Sequence, residues 1–430
     1  MEPLPIAQIA SLTPKDVEIE FWDDRMEEIP YDRVTDLVAI SIETYTSKRA
    51  YQIASEYRRR GVPVVMGGFH ATLMPEEVSE YAEAVVVGEA EIIWEKLIKD
   101  FKAGKMKKIY QSQERPDIEK LNIIPDRSIF KDKNYLPITL IEANRGCTFS
   151  CDFCAIQTAF KATQSRRSAE SIVTEIQSQK NTKFFFFVDD NMISHVEEAK
   201  KLFKALIPLK IKWVSQASIN MTYDDELMDL MKKSGCLGVL IGFESLNADN
   251  LKSMNKGFNL VKGGPIEAVK RLNEKGFLLY ATFVFGREYD TLESFQEVID
   301  FGMKNKIFML AFNHMTPFPA TPFYKKLKDD NKLLYDCWWL DDRYKYGEVP
   351  FKLNLDPLVI QEECVKARKN FYSIINVFKR MFSKSVITNF KILKMYLFIN
   401  FLLRKEAAQR ERYPLGDLAY KGEILKATNK

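Results

Sequence analysis

The sequence predicts an α/β protein in three parts: a doubly wound parallel sheet, a longer series of strand–helix units forming a barrel or partial barrel, and a helical C-terminal region. Three observations predict it. Between residues 17 and 102, short runs rich in Val and Ile alternate with amphipathic stretches; between 137 and 330 strands and helices keep alternating; from 359 to 405 apolar residues recur at three- and four-residue steps, with lysines and arginines between them. With 430 residues, 46% of them hydrophobic and 28% charged, the chain is long enough for two or three domains with cores of their own. No basic start with an apolar core follows Met1, and no run reaches the roughly 18 apolar residues of a spanning helix, so the chain reads as cytosolic.

In the first part, 17–22, 37–42, 62–66 and 84–87 read as strands, and 49–60 and 89–102 as helices. Parallel sheets of this kind bind ligands beyond the carboxyl ends of their strands. Those ends carry Ser41, then Gly67-Gly68-Phe69-His70, then Gly88-Glu89, and glycine there lets a ligand approach the backbone closely. A basic run at 105–108 and prolines at 116, 125 and 137 mark 103–136 as a linker.

In the second part, strands are expected at 138–142, 184–188, 212–215, 238–241, 279–285 and 308–313, with helices at 168–179, 196–206, 224–233, 264–275 and 291–304. Chemistry in such barrels gathers at the carboxyl ends of strands. Here those ends hold Asp189-Asp190-Asn191, Gln216, Gly242-Phe243-Glu244-Ser245 and Gly286-Arg287, of which Asp190 and Ser245 read equally as helix N-caps.

The first of these strands runs into Arg145-Gly146-Cys147-Thr148-Phe149-Ser150-Cys151-Asp152-Phe153-Cys154, which holds three of the six cysteines. Soft sulfur ligands on one loop select an iron–sulfur cluster, zinc or copper(I). A structural zinc site takes four protein ligands, usually as two pairs, and the sequence has no second pair; three thiolates suit a cubane cluster with one open iron. Cys236, Cys337 and Cys364 lie far apart and read as core thiols.

The spacing Cys147-x-x-x-Cys151-x-Phe153-Cys154 resembles the signature of the radical S-adenosylmethionine (SAM) enzymes. Ser41, Gly67-Gly68, His70-Ala71-Thr72 and Pro75-Glu76-Glu77 together resemble the cobalamin-binding, Rossmann-like (flavodoxin-like) domain that precedes the radical SAM core in one large subclass. Thr316-Pro317-Phe318-Pro319-Ala320-Thr321-Pro322 resembles the turn that closes the open (β/α)6 barrel there, with Ala320 where Gly is common. The domains implied are 1–102 for cobalamin, 103–136 as linker, 137–330 as barrel and 331–430 as lid and basic helical region.

What the resemblance implies about function is a cobalamin-type radical SAM enzyme. Cys147, Cys151 and Cys154 would hold a 4Fe–4S cluster whose open iron binds SAM, and an electron would cleave SAM to a 5′-deoxyadenosyl radical that takes hydrogen from an unactivated carbon. With cobalamin present, methyl transfer from methylcobalamin is the usual next step. Asp189 and Asp190 are expected near the amino end of SAM, Gln216 and Glu244 near its ribose or methionine, and Phe153 near the adenine through its backbone. Ser41, Gly67 and Gly68 would line the cobalamin nucleotide tail, with His70 either a contact to it or a cap on its turn. The partners implied are a small-molecule or lipid-like substrate and an electron donor such as flavodoxin or ferredoxin. Two further readings are cyclisation, carbon–carbon coupling or rearrangement of a lipid-like substrate without cobalamin, and a non-catalytic iron–sulfur or cobalamin sensor.

The sequence departs from the classical cobalamin-binding fold in two places. Nothing matches Asp-x-His-x-x-Gly, the loop that supplies a lower axial histidine in other cobalamin folds. Residues 3–12 already resemble the first helix, so the domain reads as short of its first, central strand and is expected to bind cobalamin weakly, with 17–22 and 37–42 either pairing directly or leaving a gap.

A formal net charge of +4 conceals a basic tail: between Cys364 and Lys405 there is no Asp or Glu, but Lys366, Arg368, Lys369, Lys379, Arg380, Lys384, Lys391, Lys394, Arg404 and Lys405. This pattern suits a helical subdomain with a wet basic face, or helices lying on an anionic membrane. It suits nucleic acid poorly, because the aromatics keep to the apolar stripe. Trp338-Trp339 and 351–357 suit a lid or plain packing.

Overall fold

The computed structural model describes residues 1–179, 182–387, 389–407 and 413–427; the side chain of Lys384, in the basic tail, lies outside the described set. The first sheet is parallel and has the order β1-β2-β3-β4, with β1 Val38–Ser41, β2 Val64–Gly67, β3 Ala84–Val87 and β4 Ile109–Gln111. Its central strands are the apolar runs Val64-Val65-Met66 and Ala84-Val85-Val86-Val87, buried on both faces, as a parallel sheet covered by helices requires. Helix Ser47–Arg59 packs Ala50, Tyr51, Ile53, Ala54 and Tyr57 on one face, and Trp94–Lys102 packs Trp94, Leu97 and Ile98 on the other.

Two expectations are corrected here. Residues 17–22 form no strand: Phe21 packs edge-on against Phe130 at 5.4 Å, and Lys133 lies 4.7 Å from the Trp22 ring, so this segment is held by the chain that follows the sheet. The strand neither pairs with β1 nor leaves a gap beside a partner; β1 is an edge, bonded to β2 alone among the described residues. The segment expected as linker contributes β4, which pairs with β3 through Val85, Val86 and Val87, and holds a short helix at Ile118–Leu121.

The second sheet has six parallel strands in simple sequence order: β5 Thr139–Ile141, β8 Phe184–Phe187, β9 Lys212–Gln216, β10 Cys236–Glu244, β11 Leu278–Phe285 and β12 Met309–His314. Between β5 and β8 the chain makes an antiparallel hairpin, β6 Asn144–Gly146 with β7 Gln164–Arg166. β5 and β12 are the two edges, which is the open barrel expected. Helices Ala169–Ser178, Val196–Leu206, Asp225–Lys233, Gly264–Glu274 and Leu292–Lys304 cover it, started by side-chain caps such as Ser168 on Ser171 N and Asp224 on Leu227 N. Phe185, Phe187, Phe203, Trp213, Phe243 and Phe283 fill the space between strands and helices.

The C-terminal region is helical at Pro357–Phe371, Ile374–Met381, Lys384–Ile387 and Phe390–Glu406. Trp338 and Trp339 are packed into the fold: both are 0% exposed, Trp338 donating to Pro317 O at 2.9 Å and Trp339 to Glu77 Oε2 at 3.0 Å. The chain end returns to the first domain, where Asp417 N donates to Gln52 Oε1 and Leu425 N to Ser55 Oγ, both at 2.8 Å.

Candidate functional site

The cysteine loop hangs from the hairpin. Gly146 opens it with φ +93, and a Cβ there would lie 2.2 Å from Thr163 O, so no other residue fits that turn. Cys154 closes it as the N-cap of helix Ala155–Phe160, with the N–H groups of Gln157 and Ile156 favouring its thiolate. Cys151 is buried, and burial pushes its thiol up to about 12, opposed by the positive charge of Lys256. Burial also raises Cys154. Cys147 stands 3.9 Å from Asn191 Nδ2.

The carboxyl ends of β8 to β11 surround this loop. Asp189 is fully buried and accepts from Asn144 N, and from Ala143 N at 3.4 Å; burial and then the charge of Glu142 push it up to about 8 against those two donors. Asp190 accepts from Gly146 N at 2.7 Å and is pushed up to about 6, again by burial first. These two residues therefore shape the hairpin that precedes Cys147. Gln216 is half-buried at the end of β9 and its carbonyl accepts from Met192 N at 3.2 Å; the Phe153 ring packs against the barrel core.

Glu244, at the bulged end of β10, takes φ +64 and pairs with Lys256 Nζ, the pair being 9% and 13% exposed. The segment carrying Lys256 grips the cysteine loop at three more points: Met254 O accepts from Asp152 N at 3.2 Å, Asn255 Nδ2 donates to Ser150 O at 3.4 Å, and Phe258 stacks on Phe149 at 4.0 Å. From the end of β11, Arg287 donates to Asp152 Oδ2 at 3.1 Å and to Ser253 O at 3.0 Å, over the Phe323 ring. Lys256 and the Phe149–Phe258 stack were not legible in the sequence, because neither periodicity nor spacing ties them to a loop a hundred residues away.

Ser41, Gly67 and Gly68 form one row across the ends of β1 and β2. A Cβ on Gly68, at φ +101, would lie 2.8 Å from Ile42 O and 3.1 Å from Ser41 Oγ, and one on Gly67 would lie 3.4 Å from Val86 Cβ. Gly88, at the end of β3, has open space where a Cβ would stand. His70 meets this row through its backbone, its N–H donating to Ile42 O at 3.1 Å, while its side chain turns inward. It is 0% exposed, with Nδ1 3.3 Å from Thr44 Oγ1, Nε2 3.1 Å from Glu77 Oε1, and its ring edge-on to Trp339, so its side chain ties this loop to the C-terminal segment. Phe69, the residue after the glycines, meets Phe160 of the helix that Cys154 caps, ring centroids 5.9 Å apart. The glycine row and the cysteine loop thus face one another across the domain boundary. A second contact fixes that boundary: Arg145 Nη1 lies 3.0 Å from Glu89 and 2.8 Å from Glu91, both following β3, and its Nη2 lies 2.7 Å from Glu142.

The residues present fit the implied cofactors. Three free thiols share one loop and feel one another's charge, as ligands of one cluster would. After β8 and β9, Ser194 Oγ, Ser218 Oγ and Asn220 Oδ1 are buried without a partner, as is Arg166 Nε in β7, and a polar ligand at the strand ends would use them. Gly67 and Gly68 bring bare backbone to the strand ends, close-packed at Gly68 and with open space at Gly88, which fits the close approach a cofactor tail would need.

Comparison with known proteins agrees. A family model for the radical SAM superfamily matches residues 141–302, and one for the B12 binding domain matches 7–98. Among curated proteins, the bacteriochlorophyllide d C-12(1)-methyltransferase of Chlorobaculum tepidum is 32% identical over 415 residues, 94% of this chain and 88% of that one. The bacteriochlorophyllide d C-8(2)-methyltransferase of the same organism is 28% identical over 391 residues, 86% and 85% of the two chains. Among solved structures, the cobalamin-dependent SAM radical enzyme OxsB, with aqua-cobalamin and SAM bound, superposes with a TM-score of 0.61 at 14% identity, over 86% of this chain and 63% of that one. The fold and site define a radical SAM protein with a B12-binding domain, and the chain belongs to the radical SAM superfamily in that branch. It is a cobalamin-dependent radical SAM enzyme of the methyltransferase kind, with a 4Fe–4S cluster, SAM and cobalamin as cofactors, a small-molecule substrate and a need for an electron donor. These relatives support neither the reading without cobalamin nor the sensor. No helix among the described residues is long and apolar enough to cross a membrane.

Proposed function

We propose that this enzyme methylates an unactivated carbon on the periphery of a tetrapyrrole of the bacteriochlorophyllide type. The single observation that carries the chemistry is the contact of Phe69 with Phe160, which sets the cobalamin-side glycine row against the helix capped by Cys154. The substrate class rests on the two bacteriochlorophyllide methyltransferases that align over most of the chain. When bound, the cluster and SAM supply the radical chemistry and cobalamin supplies the methyl group.

The chain's own residues position and enclose. Cys147, Cys151 and Cys154 hold the cluster; Asp152, clamped by Arg287, and Phe149, stacked on Phe258, fix the loop between them. Asp189 and Asp190, through Asn144 and Gly146, set the hairpin and stand near the amino end of SAM, with Gln216, Glu244 and the Phe153 backbone around the rest of it. Ser41, Gly67 and Gly68 cradle the cobalamin tail. The electron donor is a flavodoxin or ferredoxin. The working units are the first domain, completed by β4 from the 103–136 segment, the barrel at 137–330 and the C-terminal segment 331–430, and the location is cytoplasmic, with the last segment at the inner face of the membrane.

The test is a reconstituted anaerobic reaction with methyl-deuterated SAM, cobalamin, reductant and a bacteriochlorophyllide. A product heavier by labelled methyl groups on a side-chain carbon supports the proposal. SAM turnover with unchanged pigment, alongside a labelled product from another substrate, overturns the substrate class and leaves the reaction type standing.

A further inference from the structure

The C-terminal helices expose apolar side chains that folding alone does not explain. Ile374 is 48% exposed, Ile375 68%, Phe378 44% and Phe382 60%; then Phe390 is 67%, Phe398 70%, Phe401 39% and Leu402 43%. Single exposed apolar residues are ordinary, but a contiguous set of large ones marks an interaction surface. Phe378 and Phe401 join the two helices into one face, with ring centroids 6.5 Å apart.

Along these two helices, as far as Lys405, the charge has one sign. Lys379, Lys391, Lys394, Arg404 and Lys405 are exposed among those aromatics, and no Asp or Glu occurs from 364 to 405. Lys394 stands 4.6 Å from the centre of the Phe390 ring. Next to Phe382 a shallow groove of about 330 Å³ is bordered by Lys270, Lys304 and Lys306 of the barrel, with Glu274 the carboxylate there. Two parts of the chain remote in sequence therefore bring positive charge to one apolar face.

The helices are firmly seated, so the face is a fixed surface. Arg380 is fully buried and donates to Ile307 O at 2.9 Å, Phe371 O at 3.0 Å and Asn400 Oδ1 at 3.0 Å; Leu278, Phe308, Val377, Val386 and Tyr396 pack beneath. Leu278 and Ile307 lie at the amino ends of β11 and β12, so these helices dock at the end of the barrel opposite the cysteine loop.

We infer that this face is a peripheral docking surface for an anionic phospholipid bilayer, with Phe378, Phe382, Phe390 and Phe398 entering the headgroup–acyl boundary and Lys379, Lys391, Lys394 and the lysine groove taking the phosphates. Charge complementarity selects this occupant. An isologous contact with a second copy would set Lys391 and Lys394 against like charges, which disfavours it. Aromatic and aliphatic residues flanked by lysine on helices too short or too charged to span are what an interfacial helix uses. Docking at the barrel's amino end leaves the strand ends that carry the cofactors unobstructed. The inference rests on the cytoplasmic location proposed above, and on none of the chemistry.

The experiment uses the full chain and vesicles of phosphatidylcholine, with and without phosphatidylglycerol, sedimented at rising salt. The expected result is binding to the anionic vesicles alone at low salt, with release as the Debye length falls below about 8 Å. The charge-reversed pair Lys391→Glu/Lys394→Glu should weaken binding at least tenfold, and Phe390→Ser/Phe398→Ser should weaken it comparably, while both variants keep wild-type SAM cleavage and melting temperature. Equal sedimentation with neutral vesicles, sedimentation with neither, or variants that bind like wild type would overturn the inference. So would a dimer in solution that Phe390→Ser/Phe398→Ser dissociates, because it would assign the face to a second copy.

Discussion

Lys256 and Glu244 form a buried ion pair at the end of β10, and the Lys256 charge reaches the thiols of Cys151 and Cys154. Gly242 is small where this pair passes, since a Cβ there would stand 2.9 Å from Lys256 Nζ. The pair puts a cation beside the cysteine loop without exposing it to water. A buried pair broken on one side leaves an uncompensated charge, whereas removing both partners does not. Lys256→Met should therefore cost the apoprotein about 3–5 kcal/mol in denaturant unfolding, and Lys256→Met/Glu244→Gln should recover most of that. Equal losses in the single and double variants would show that the two side chains act independently.

The same cation bears on electron transfer to the cluster. Loss of a positive charge nearby makes reduction harder, so the midpoint potential in Lys256→Met/Glu244→Gln should differ from wild type by tens of millivolts or less, while in Lys256→Met alone it should move further negative. Redox titration followed by electron paramagnetic resonance reads this directly. Identical potentials in all three proteins would remove Lys256 from any role at the cluster.

Gly67 and Gly68 separate packing from cofactor binding. Gly68→Ala imposes a side chain at φ +101 and 2.8 Å from Ile42 O, so it should cost about 1–3 kcal/mol of stability as well as cobalamin. Gly67→Ala meets only ordinary contact at 3.4 Å from Val86 Cβ, so the apoprotein should melt near wild type while retaining less cobalamin, read from visible absorbance after gel filtration. Full cobalamin retention in both variants would move the cofactor off this row.

Asp189 gives the apoprotein a pH dependence of definite sign. Its carboxyl rises from the ordinary 3.8 to about 8 on folding, so between these values the folded protein holds a proton that the unfolded chain has lost. The folded state binds more protons there, and stability falls as pH rises through that window; Asp190, raised to about 6, adds to the fall over its lower part. Melting temperature of iron-free protein should drop between about pH 5 and about pH 8, and Asp189→Asn should flatten much of that slope. A rising slope, or an unchanged one in Asp189→Asn, would contradict the assignment.

How far the sequence reached depends on the range of the interaction. β3 was read to the residue because it is a continuous apolar run of strand length, and helix Val196–Leu206 because its apolar residues recur at the helical period. The three cysteines stood out because their spacing on one loop is a local signal. The hairpin was not, since Asn144-Arg145-Gly146 and Gln164-Ser165-Arg166 contain no β-branched or aromatic residue, and Asp189 and Asp190 hold it from a distant strand end. Residues 17–22 have strand-like alternation, yet Phe130 and Lys133 take up the aromatic side chains of Phe21 and Trp22. For His70 the sequence offered a ligand contact or a turn cap, because it cannot show Glu77 and Trp339 closing over the ring.

The central claim is that Cys147, Cys151 and Cys154 hold the cluster on which SAM is cleaved, and the most direct measurement is iron content together with reductive SAM cleavage in anaerobically reconstituted wild type and Cys151→Ala. The expected result is about four irons per chain with a brown charge-transfer absorption and 5′-deoxyadenosine formed by wild type, and loss of both in Cys151→Ala. Stoichiometric zinc with no uptake of iron, or SAM cleavage that survives Cys151→Ala, would contradict it.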